Sequence, residues 1–132
     1  MKAIILAAGM ASRLRPLTNN TPKCLLKIGE RSLLQRSIDA LIGNGIKEIV
    51  IVTGYLHNLI EDFVRKQYPS VNVSFIHNDI YDSTNNIYSL WLARPKADGE
   101  EILLFDSDLL YDPEIITRIL NKPAENILTL IR

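Results

Sequence analysis

Residues 3–27 of the chain read AIILAAGMASRLRPLTNNTPKCLLK, an apolar run that ends at Gly9 and continues as a polar loop. The run at residues 3–8 has the composition of a buried β-strand, apolar on both faces as in a central parallel strand. A strand that ends at a glycine and opens into a loop of small residues brings backbone N–H groups close to phosphate in many α/β proteins. We therefore expect an anion-binding loop after the first strand.

The charges of this opening segment favour the same interpretation. Residues 1–29 contain no Asp or Glu, so all 15 acidic residues of the chain lie beyond them. The segment carries five basic residues: Lys2, Arg13, Arg15, Lys23 and Lys27. Because the whole chain has a formal net charge of zero, this local excess of positive charge predicts a site for a small anion and not a nucleic-acid surface.

Two common phosphate-binding motifs do not fit the loop. A dinucleotide-binding fingerprint that starts at Gly9 requires glycines at two later positions, which are occupied by Ala11 and Leu14. A P-loop requires Gly-Lys followed by Ser or Thr at the start of a helix, and the chain contains no such tripeptide. The remaining structural explanation is an ordinary strand followed by a solvated basic loop.

Length and composition are those of one ordinary globular domain. The chain has 132 residues, of which 47% are hydrophobic and 23% are charged, and this is enough for a sizeable core. Cys24 is the only cysteine, so we expect no internal disulfide, a reducing cytoplasmic location and a buried, unreactive thiol. Apolar stretches are far shorter than the ~20 residues of a transmembrane helix, so we expect no membrane partner.

Apolar runs and helical periodicities alternate along the chain. The predicted strands cover residues 2–8, 48–53, 72–76, 101–105 and 126–131. The predicted helices cover residues 32–44, 58–68 and 85–93, with a further helix opening at Asp112 and Pro113. For the third helix, Ser83 or Thr84 is the expected cap and Pro95 the expected end. This alternation predicts one α/β domain over residues 1–132, a three-layer sandwich around a doubly wound, mostly parallel sheet with the first strand at its centre.

Ligands of such sheets bind beyond the carboxyl ends of the strands, and polar residues follow several of these ends. Asp106, Ser107 and Asp108 follow the strand predicted at residues 101–105. Their carboxylates suit Mg²⁺ held against substrate phosphates, although acids that only cap a turn or a helix would look the same. Asn85 and Asn86 open the third helix, where their amides either cap the helix or face a ligand.

The opening segment resembles the signature of the nucleotidyltransferases that activate sugar 1-phosphates and phosphocholine. The shared pattern is Leu6-Ala-Ala-Gly9-x-x-Ser12-Arg13-Leu14-x-Pro16-Leu17-Thr18-x-x-x-Pro22-Lys23. Ala11 stands where the family usually has a second glycine, and alanine resists the positive φ that glycine allows. The segment at residues 84–90 resembles the bacterial CTP:phosphocholine cytidylyltransferase branch. The resemblance also implies a Rossmann-like fold and, because members of the family continue well past this length, the N-terminal nucleotide-binding part of a longer chain.

The resemblance implies transfer of CMP from a nucleoside triphosphate to a phosphorylated acceptor such as phosphocholine, with Mg²⁺ as cofactor and pyrophosphate as product. It implies three catalytic residues, Arg13, Lys23 and Asp108, with Asp108 as the metal ligand. The residues expected to bind the nucleotide are Leu6, Ala7, Ala8, Gly9, Ala11, Ser12, Arg13, Lys23, Gly54, Asn85 and Asn86. Tyr81 and Tyr88 are expected at the acceptor, because aromatic rings suit quaternary ammonium groups. Core packing is the alternative for such aromatic residues, above all for Trp91.

Other functions remain open from the sequence. A sugar-1-phosphate nucleotidyltransferase would use UTP or dTTP on a similar loop. A non-catalytic module would bind the nucleotide without turning it over, and an assembly domain would keep the fold without the ligand. The sequence does not state the oligomeric state.

Overall fold

The computed structural model describes residues 1–123 and 126–127. Its strands are β1 (Lys2–Ala7), β2 (Lys27–Ile28), β3 (Arg31–Ser32), β4 (Glu48–Thr53), β5 (Asn72–His77) and β6 (Ile102–Asp106). Four of them form one parallel sheet in the order β5-β4-β1-β6, and β2 and β3 form a separate antiparallel hairpin. The first strand is therefore an interior strand of a parallel sheet, as its apolar composition predicts.

The helices are α1 (Leu33–Gly43), α2 (His57–Gln67), α3 (Asn86–Ala97) and α4 (Glu114–Leu120). Ser32 caps α1, because its side-chain oxygen accepts a hydrogen bond from the backbone N–H of Gln35 at 3.1 Å. Gly45 follows the end of α1 with a φ of 80°. These are the start and stop signals that the sequence contains for this helix.

Alternate residues of β1 face opposite layers of helices. On one face, Ile5 packs with fully buried side chains of three helices: Ile38 of α1, Ile60 of α2 and Ile116 of α4. On the other face, Ile4 packs with Ala93 of α3. Helices thus cover both faces of the sheet, so the predicted three-layer α/β sandwich with a central first strand is confirmed.

The end of α3 differs from the prediction. The helix does not stop before Pro95 but continues to Ala97. A proline removes one helical N–H donor, but at an exposed position such as Pro95 solvent can compensate for the lost hydrogen bond. The strand predicted at residues 101–105 lies one residue later because Asp106 pairs with Leu6 of β1. The strand predicted at residues 126–131 lies mostly outside the described residues.

The start of α3 also differs from the prediction, because its cap is Asn85 and not Ser83 or Thr84. The side-chain oxygen of Asn85 accepts hydrogen bonds from the backbone N–H groups of Ile87 and Tyr88, at 3.0 and 3.4 Å respectively. A short amide side chain in the extended backbone conformation satisfies these first helical donors as well as a hydroxyl does. The helix therefore begins one residue later than the sequence indicates.

Residues 8–23, named the anion loop below, connect β1 to the β2–β3 hairpin region. The loop contains a 3-10 turn at Ser12–Leu14. A second 3-10 turn, Lys23–Leu25, begins at the last residue of the loop. Gly29 reverses the chain in the hairpin with a φ of 71°. None of the helices that the structure describes has both the length and the apolar character needed to cross a lipid bilayer.

Gly54, directly after β4, lies where two other loops approach it closely. A Cβ atom at this position would lie 2.7 Å from the carbonyl oxygen of Ala8 and 2.7 Å from Cβ of Tyr81. Both distances are far shorter than a van der Waals contact between such atoms, so only glycine fits without displacing its neighbours. The loops after β1, β4 and β5 are therefore packed against one another at this point.

We expect Gly54→Ala to lower the free energy of unfolding by roughly 1–3 kcal/mol, the usual effect of forcing extra atoms into a packed site. Gly43→Ala is the matched control, because Gly43 lies in α1 with open space around its Cβ position. There alanine should be neutral or stabilising by about 0.5–1 kcal/mol, owing to its better helix propensity. Urea denaturation measures both effects, and equal stabilities would contradict the close packing at Gly54.

Candidate functional site

The carboxyl ends of β1 and β6 lie side by side. Leu6 pairs with Asp106 in the register of the two strands, and the backbone N–H of Ser107 donates to the carbonyl of Leu6 at 3.1 Å. The anion loop and the acidic residues after β6 therefore start from neighbouring points of one sheet edge. This is the edge at which sheets of this type bind their ligands.

An ion pair joins these two segments. Nζ of Lys23 lies 2.6 Å from Oδ2 of Asp108, although 85 residues separate them in the chain. Their side chains are 36% and 38% exposed, so the pair lies at the surface of the edge, where a ligand has access. Both residues are among the predicted catalytic residues, and the structure brings them into direct contact.

Lys23 is held in place by the turn that it begins. The backbone N–H of Leu25 donates to the carbonyl of Pro22 at 2.9 Å, which closes the turn. Cys24, the next residue, is buried in the core with α1 side chains, and burial raises the pKa of its thiol to about 12. The expectation of a buried Cys24 is confirmed, and the burial of this side chain anchors the turn that begins at Lys23.

Asp106 has a different partner from Asp108. Nδ2 of Asn86 donates to Oδ1 of Asp106 at 3.0 Å, which ties the first residue of α3 to the end of β6. Among the described residues, the contact with Lys23 is the one hydrogen bond that the Asp108 carboxylate accepts. The two acids are thus engaged separately, Asp106 by a neutral amide and Asp108 by a cation.

The two asparagines at the start of α3 each keep half of their amide free. Asn85 uses its side-chain oxygen as the helix cap, and its amide nitrogen has no hydrogen-bond partner among the described residues. Asn86 uses its side-chain nitrogen on Asp106, and within the same part of the chain its amide oxygen accepts no hydrogen bond. Both residues are exposed, and together they present one donor and one acceptor near the carboxyl edge of the sheet.

Ala11 adopts the left-handed backbone conformation, with φ 49° and ψ 45°. This conformation is unfavourable for alanine, but two donors hold the carbonyl of Ala11 in place. Oγ1 of Thr18 and the backbone N–H of Leu14 both donate to it at 3.0 Å. Ala11 therefore has the backbone shape that a glycine would adopt at the same position of the family pattern.

The other residues of β1 and the anion loop that are expected to bind the nucleotide fall into two groups by burial. The buried group consists of Leu6, Ala7 and Ala8. The exposed group consists of Gly9, Ser12 and Arg13. Within residues 1–123 and 126–127, no acidic side chain pairs with the guanidinium group of Arg13, so this cation is open to an anionic ligand.

Lys2 does not belong to this group of cations. It lies at the amino end of β1 and is only 6% exposed. Its Nζ donates to the carbonyl of Lys96 at 2.7 Å and pairs with Glu48 at 3.0 Å and Glu100 at 3.3 Å. The basic residues of the opening segment therefore do not all serve one anion site, because β1 carries Lys2 to the opposite edge of the sheet.

The two aromatic residues expected at the acceptor lie in separate aromatic pairs. Tyr81 packs edge-on against Tyr55, with ring centroids 6.2 Å apart. Tyr88 stacks on Trp91, with ring centroids 5.6 Å apart. Core packing is not the role of Trp91, because its side chain is 59% exposed. In the Tyr88–Trp91 pair on α3, Trp91 faces solvent and Tyr88 is half-buried.

Sequence reasoning missed two residues that organise the site. The hydroxyl of Tyr55 donates to the carbonyl of Thr18 in the anion loop at 2.6 Å. The side chain of Asn78 is buried and donates to the hydroxyls of Thr84 and Ser89, at 3.0 and 3.2 Å respectively. The sequence contained one signal that could have pointed to both residues. Each is a hydrogen-bonding residue just beyond the end of a predicted parallel strand, where loops from neighbouring strands meet.

Comparison with known proteins identifies the family. The model of the nucleotidyl transferase family matches residues 2–130, which is nearly the whole chain. The chain therefore belongs to the nucleotidyl transferase family.

Two of the individual relatives are cytidylyltransferases. A choline-phosphate cytidylyltransferase of Streptococcus pneumoniae is 39% identical over 109 residues, which cover 83% of this chain and 46% of that protein. A CTP:phosphoglutamine cytidylyltransferase of Campylobacter jejuni is 32% identical over 130 residues, which cover 95% of this chain and 50% of that protein. The chain thus spans about half the length of the curated relatives it matches.

A solved structure agrees with these relatives. The CTP:phosphocholine cytidylyltransferase of Streptococcus pneumoniae superposes on this chain with a TM-score of 0.71 and 41% sequence identity. The superposition covers 81% of this chain and 44% of that one. The Rossmann-like nucleotidyltransferase fold implied by the opening segment is therefore confirmed.

We expect Ala11→Gly to stabilise the protein by about 1 kcal/mol, because glycine adopts a positive φ without the steric penalty of a Cβ atom. Ala97→Gly is the control, because Ala97 lies in α3, where glycine should destabilise by roughly 0.5–1 kcal/mol. Thermal denaturation of the two variants measures the contrast. Destabilisation by Ala11→Gly would show that residue 11 does not adopt the left-handed conformation in solution.

Proposed function

We propose that this chain is the nucleotide-binding part of a cytidylyltransferase that transfers CMP from CTP to a phosphorylated small molecule. The observation that carries the proposal is the Lys23–Asp108 ion pair at the carboxyl edge of the sheet, next to the loop that exposes Arg13. Membership of the nucleotidyl transferase family supports the reaction type. The cytidylyltransferase names of two relatives support CTP as the donor.

The proposed reaction exchanges one phosphorus–oxygen bond for another. A phosphate oxygen of the acceptor bonds to the α-phosphorus of CTP. The bond from this phosphorus to the oxygen that bridges to the β-phosphorus breaks, and its electron pair leaves on pyrophosphate. Since the nucleophile is already an anion, no general base is needed. The work of the protein is to place two anionic reactants together and to neutralise the charge that develops between them.

Arg13 and Lys23 are the cations that we assign to this work. The planar guanidinium group of Arg13 suits bidentate contact with the departing β- and γ-phosphates. The ammonium group of Lys23 is a compact charge, and we place it between the α-phosphate and the acceptor phosphate. Its pair with Asp108 is more than one-third exposed on both sides, so it contributes little stability and phosphate oxygens can readily replace the carboxylate.

The Asp108 carboxylate fits Mg²⁺ once Lys23 has turned to phosphate. Mg²⁺ prefers hard oxygen ligands and is commonly held by one or two carboxylates together with substrate phosphates. Among the described residues no group of three or more metal-ligating side chains occurs, so phosphate oxygens and water would complete the ligand set. When bound, Mg²⁺ would neutralise negative charge on the triphosphate. We assign Asp108 and not Asp106, because Asn86 already engages Asp106.

The free halves of two amides support cytosine as the base. Cytosine carries an exocyclic amine donor beside the acceptors N3 and O2. The free amide oxygen of Asn86 suits the amine, and the free amide nitrogen of Asn85 suits an acceptor of the ring. The hydrogen bonds that the other halves make within the protein fix the orientation of both amides. We therefore assign both asparagines to the base, while Asn85 also caps α3.

The acceptor that we propose is phosphocholine. The two relatives name different phosphorylated acceptors, which supports the general class. The Tyr88–Trp91 pair, of which Trp91 is exposed, supports a quaternary ammonium group in particular, because tryptophan and tyrosine faces attract such cations. Tyr81, which packs on Gly54 at the same edge, is the second aromatic residue that we assign to the acceptor.

We expect Lys23→Ala and Arg13→Ala in the full-length protein to lower turnover by roughly a hundredfold or more, the usual effect of losing a preorganised charge contact. Lys27→Ala is the matched control, since Lys27 is an exposed cation in β2, and it should retain wild-type turnover. Pyrophosphate release measures all three variants. Wild-type rates in either of the first two would remove that residue from the site.

We expect Asp108→Asn to raise the Mg²⁺ concentration needed for half-maximal turnover by about tenfold or more, because the amide is a poor ligand for a hard cation. The melting temperature without metal should change little, since an exposed ion pair contributes little stability. A magnesium titration of pyrophosphate release measures the first effect. A larger metal defect in Asp106→Asn would assign the metal to the other acid.

We expect CTP to bind more tightly than UTP, dTTP, ATP or GTP in calorimetric titrations of the full-length protein with Mg²⁺, because two relatives are cytidylyltransferases and the two amides offer cytosine one donor and one acceptor. Pyrophosphate release with CTP and phosphocholine then tests catalysis. Tighter binding of UTP or dTTP would contradict the cytidylyl assignment and favour a sugar-1-phosphate acceptor. Tight CTP binding without pyrophosphate release from any phosphorylated acceptor would indicate a binding module and not an enzyme.

A further inference from the structure

We propose that Tyr55 is a positioning residue that fixes the anion loop in the shape that receives a triphosphate. The proposal deepens the function proposed above and rests on it. Tyr55 lies outside the sets of residues assigned to catalysis and to the nucleotide. It follows Gly54 directly after β4, on a different segment of the chain from the loop that it holds.

The hydroxyl of Tyr55 reaches two consecutive carbonyls of the anion loop. Its oxygen lies 2.6 Å from the carbonyl oxygen of Thr18 and 3.1 Å from that of Asn19. A phenol has one proton to donate, so the shorter contact is the principal hydrogen bond. Thr18 is completely buried, and a buried carbonyl that loses its donor is strongly unfavourable.

The same residue also contacts the beginning of the loop. The backbone N–H of Tyr55 donates to the carbonyl of Ala8 at 3.1 Å. The Tyr55 ring packs against Tyr81, and Gly54 beside it is in close contact with both Ala8 and Tyr81. Tyr55 therefore bridges the loop between Ala8 and Thr18 from a position that is fixed to the end of a central strand.

Contacts within the loop extend this restraint to the residue that carries the phosphate-binding cation. Oγ1 of Thr18 donates to the carbonyl of Ala11 at 3.0 Å. Ala11 precedes the turn Ser12–Leu14, which includes Arg13. A left-handed alanine persists only where its surroundings determine its conformation. The linked hydrogen bonds from Tyr55 to Thr18 and from Thr18 to Ala11 fix this conformation.

A loop that is already ordered loses little further conformational freedom when a ligand binds. Without the Tyr55 hydroxyl, the triphosphate would have to order the loop on binding. The KM for the triphosphate should therefore rise, whereas kcat at saturation and the KM for the acceptor should stay near their wild-type values. A residue with a purely structural role would instead lower the melting temperature and the fraction of active enzyme without changing either KM.

The test compares Tyr55→Phe with Tyr68→Phe in the full-length protein. Tyr68 is the matched control, because its hydroxyl donates to Asp39 at 2.6 Å and approaches the carbonyl of Gln35 at 3.3 Å, between α2 and α1. Tyr55→Phe should raise the KM for CTP by about tenfold, the effect of about one hydrogen bond. Amide hydrogen exchange of residues 11–19 without ligand should accelerate by about the same factor. Tyr68→Phe should leave both quantities unchanged.

An unchanged KM for CTP in Tyr55→Phe, or a fall in stability alone, would overturn the proposal. A rise in KM together with faster exchange of the loop would support it. If the wild-type protein releases no pyrophosphate from any triphosphate, the proposed function fails, and the exchange experiment still decides whether Tyr55 holds the loop. Equal exchange in wild-type protein and Tyr55→Phe would then refute the role of Tyr55 independently.

Discussion

The burial of β1 between two parallel neighbours is the constraint on which the rest of the structure depends. All six residues of Lys2–Ala7 are buried, and the strand pairs with β4 on one side and β6 on the other. Parallel strands need long crossover connections, usually helices, and such sheets are covered on both faces. The segments after β1, β4, β5 and β6 consequently all leave from one edge of the sheet. The topology alone therefore brings together polar residues that are far apart in the sequence.

Most of the fold could be predicted because it depends on local patterns of residues. The apolar run of β1, the helical periodicity of α1 and α2, and the glycines at the turns each indicate an element directly. The limits of α3 could not be predicted in the same way. Pro95 would end a helix if its lost hydrogen bond were buried, but its exposure is set by the tertiary structure and not by its neighbours in the chain.

The candidate site shows the same division. The rule for parallel sheets predicted that the anion loop and the acids after β6 share an edge. The contact between Lys23 and Asp108 needs more than this rule, because it depends on the register of β6 against β1 and on the turn that presents Lys23. The bond from Tyr55 to Thr18 likewise joins residues 37 positions apart, and neither residue has a pattern that points to the other.

The strained backbone of Ala11 in the anion loop shows how such contacts hold a conformation that the residue itself does not favour. A glycine at position 11 would adopt the left-handed conformation by itself. Ala11 needs contacts with other residues to hold this conformation, and its carbonyl accepts hydrogen bonds from Thr18 and Leu14. Because Thr18 is itself held by Tyr55, the shape of the loop depends on the end of β4. With alanine at position 11, the shape of the loop therefore depends on hydrogen bonds to other residues and on the packing of the sheet edge.

The electrostatic state of the free site follows from the same arrangement. Asp108 beside a triphosphate would repel it unless a cation compensated the carboxylate, and Lys23 supplies this compensation at 2.6 Å. A deeply buried pair would resist separation, because each isolated charge would lose solvation. Both side chains here remain more than one-third exposed, so water screens their attraction and either partner can exchange. An exposed pair thus compensates the Asp108 carboxylate in the free protein. In the function that we propose, it also leaves the ammonium and carboxylate groups free to separate toward phosphate and metal.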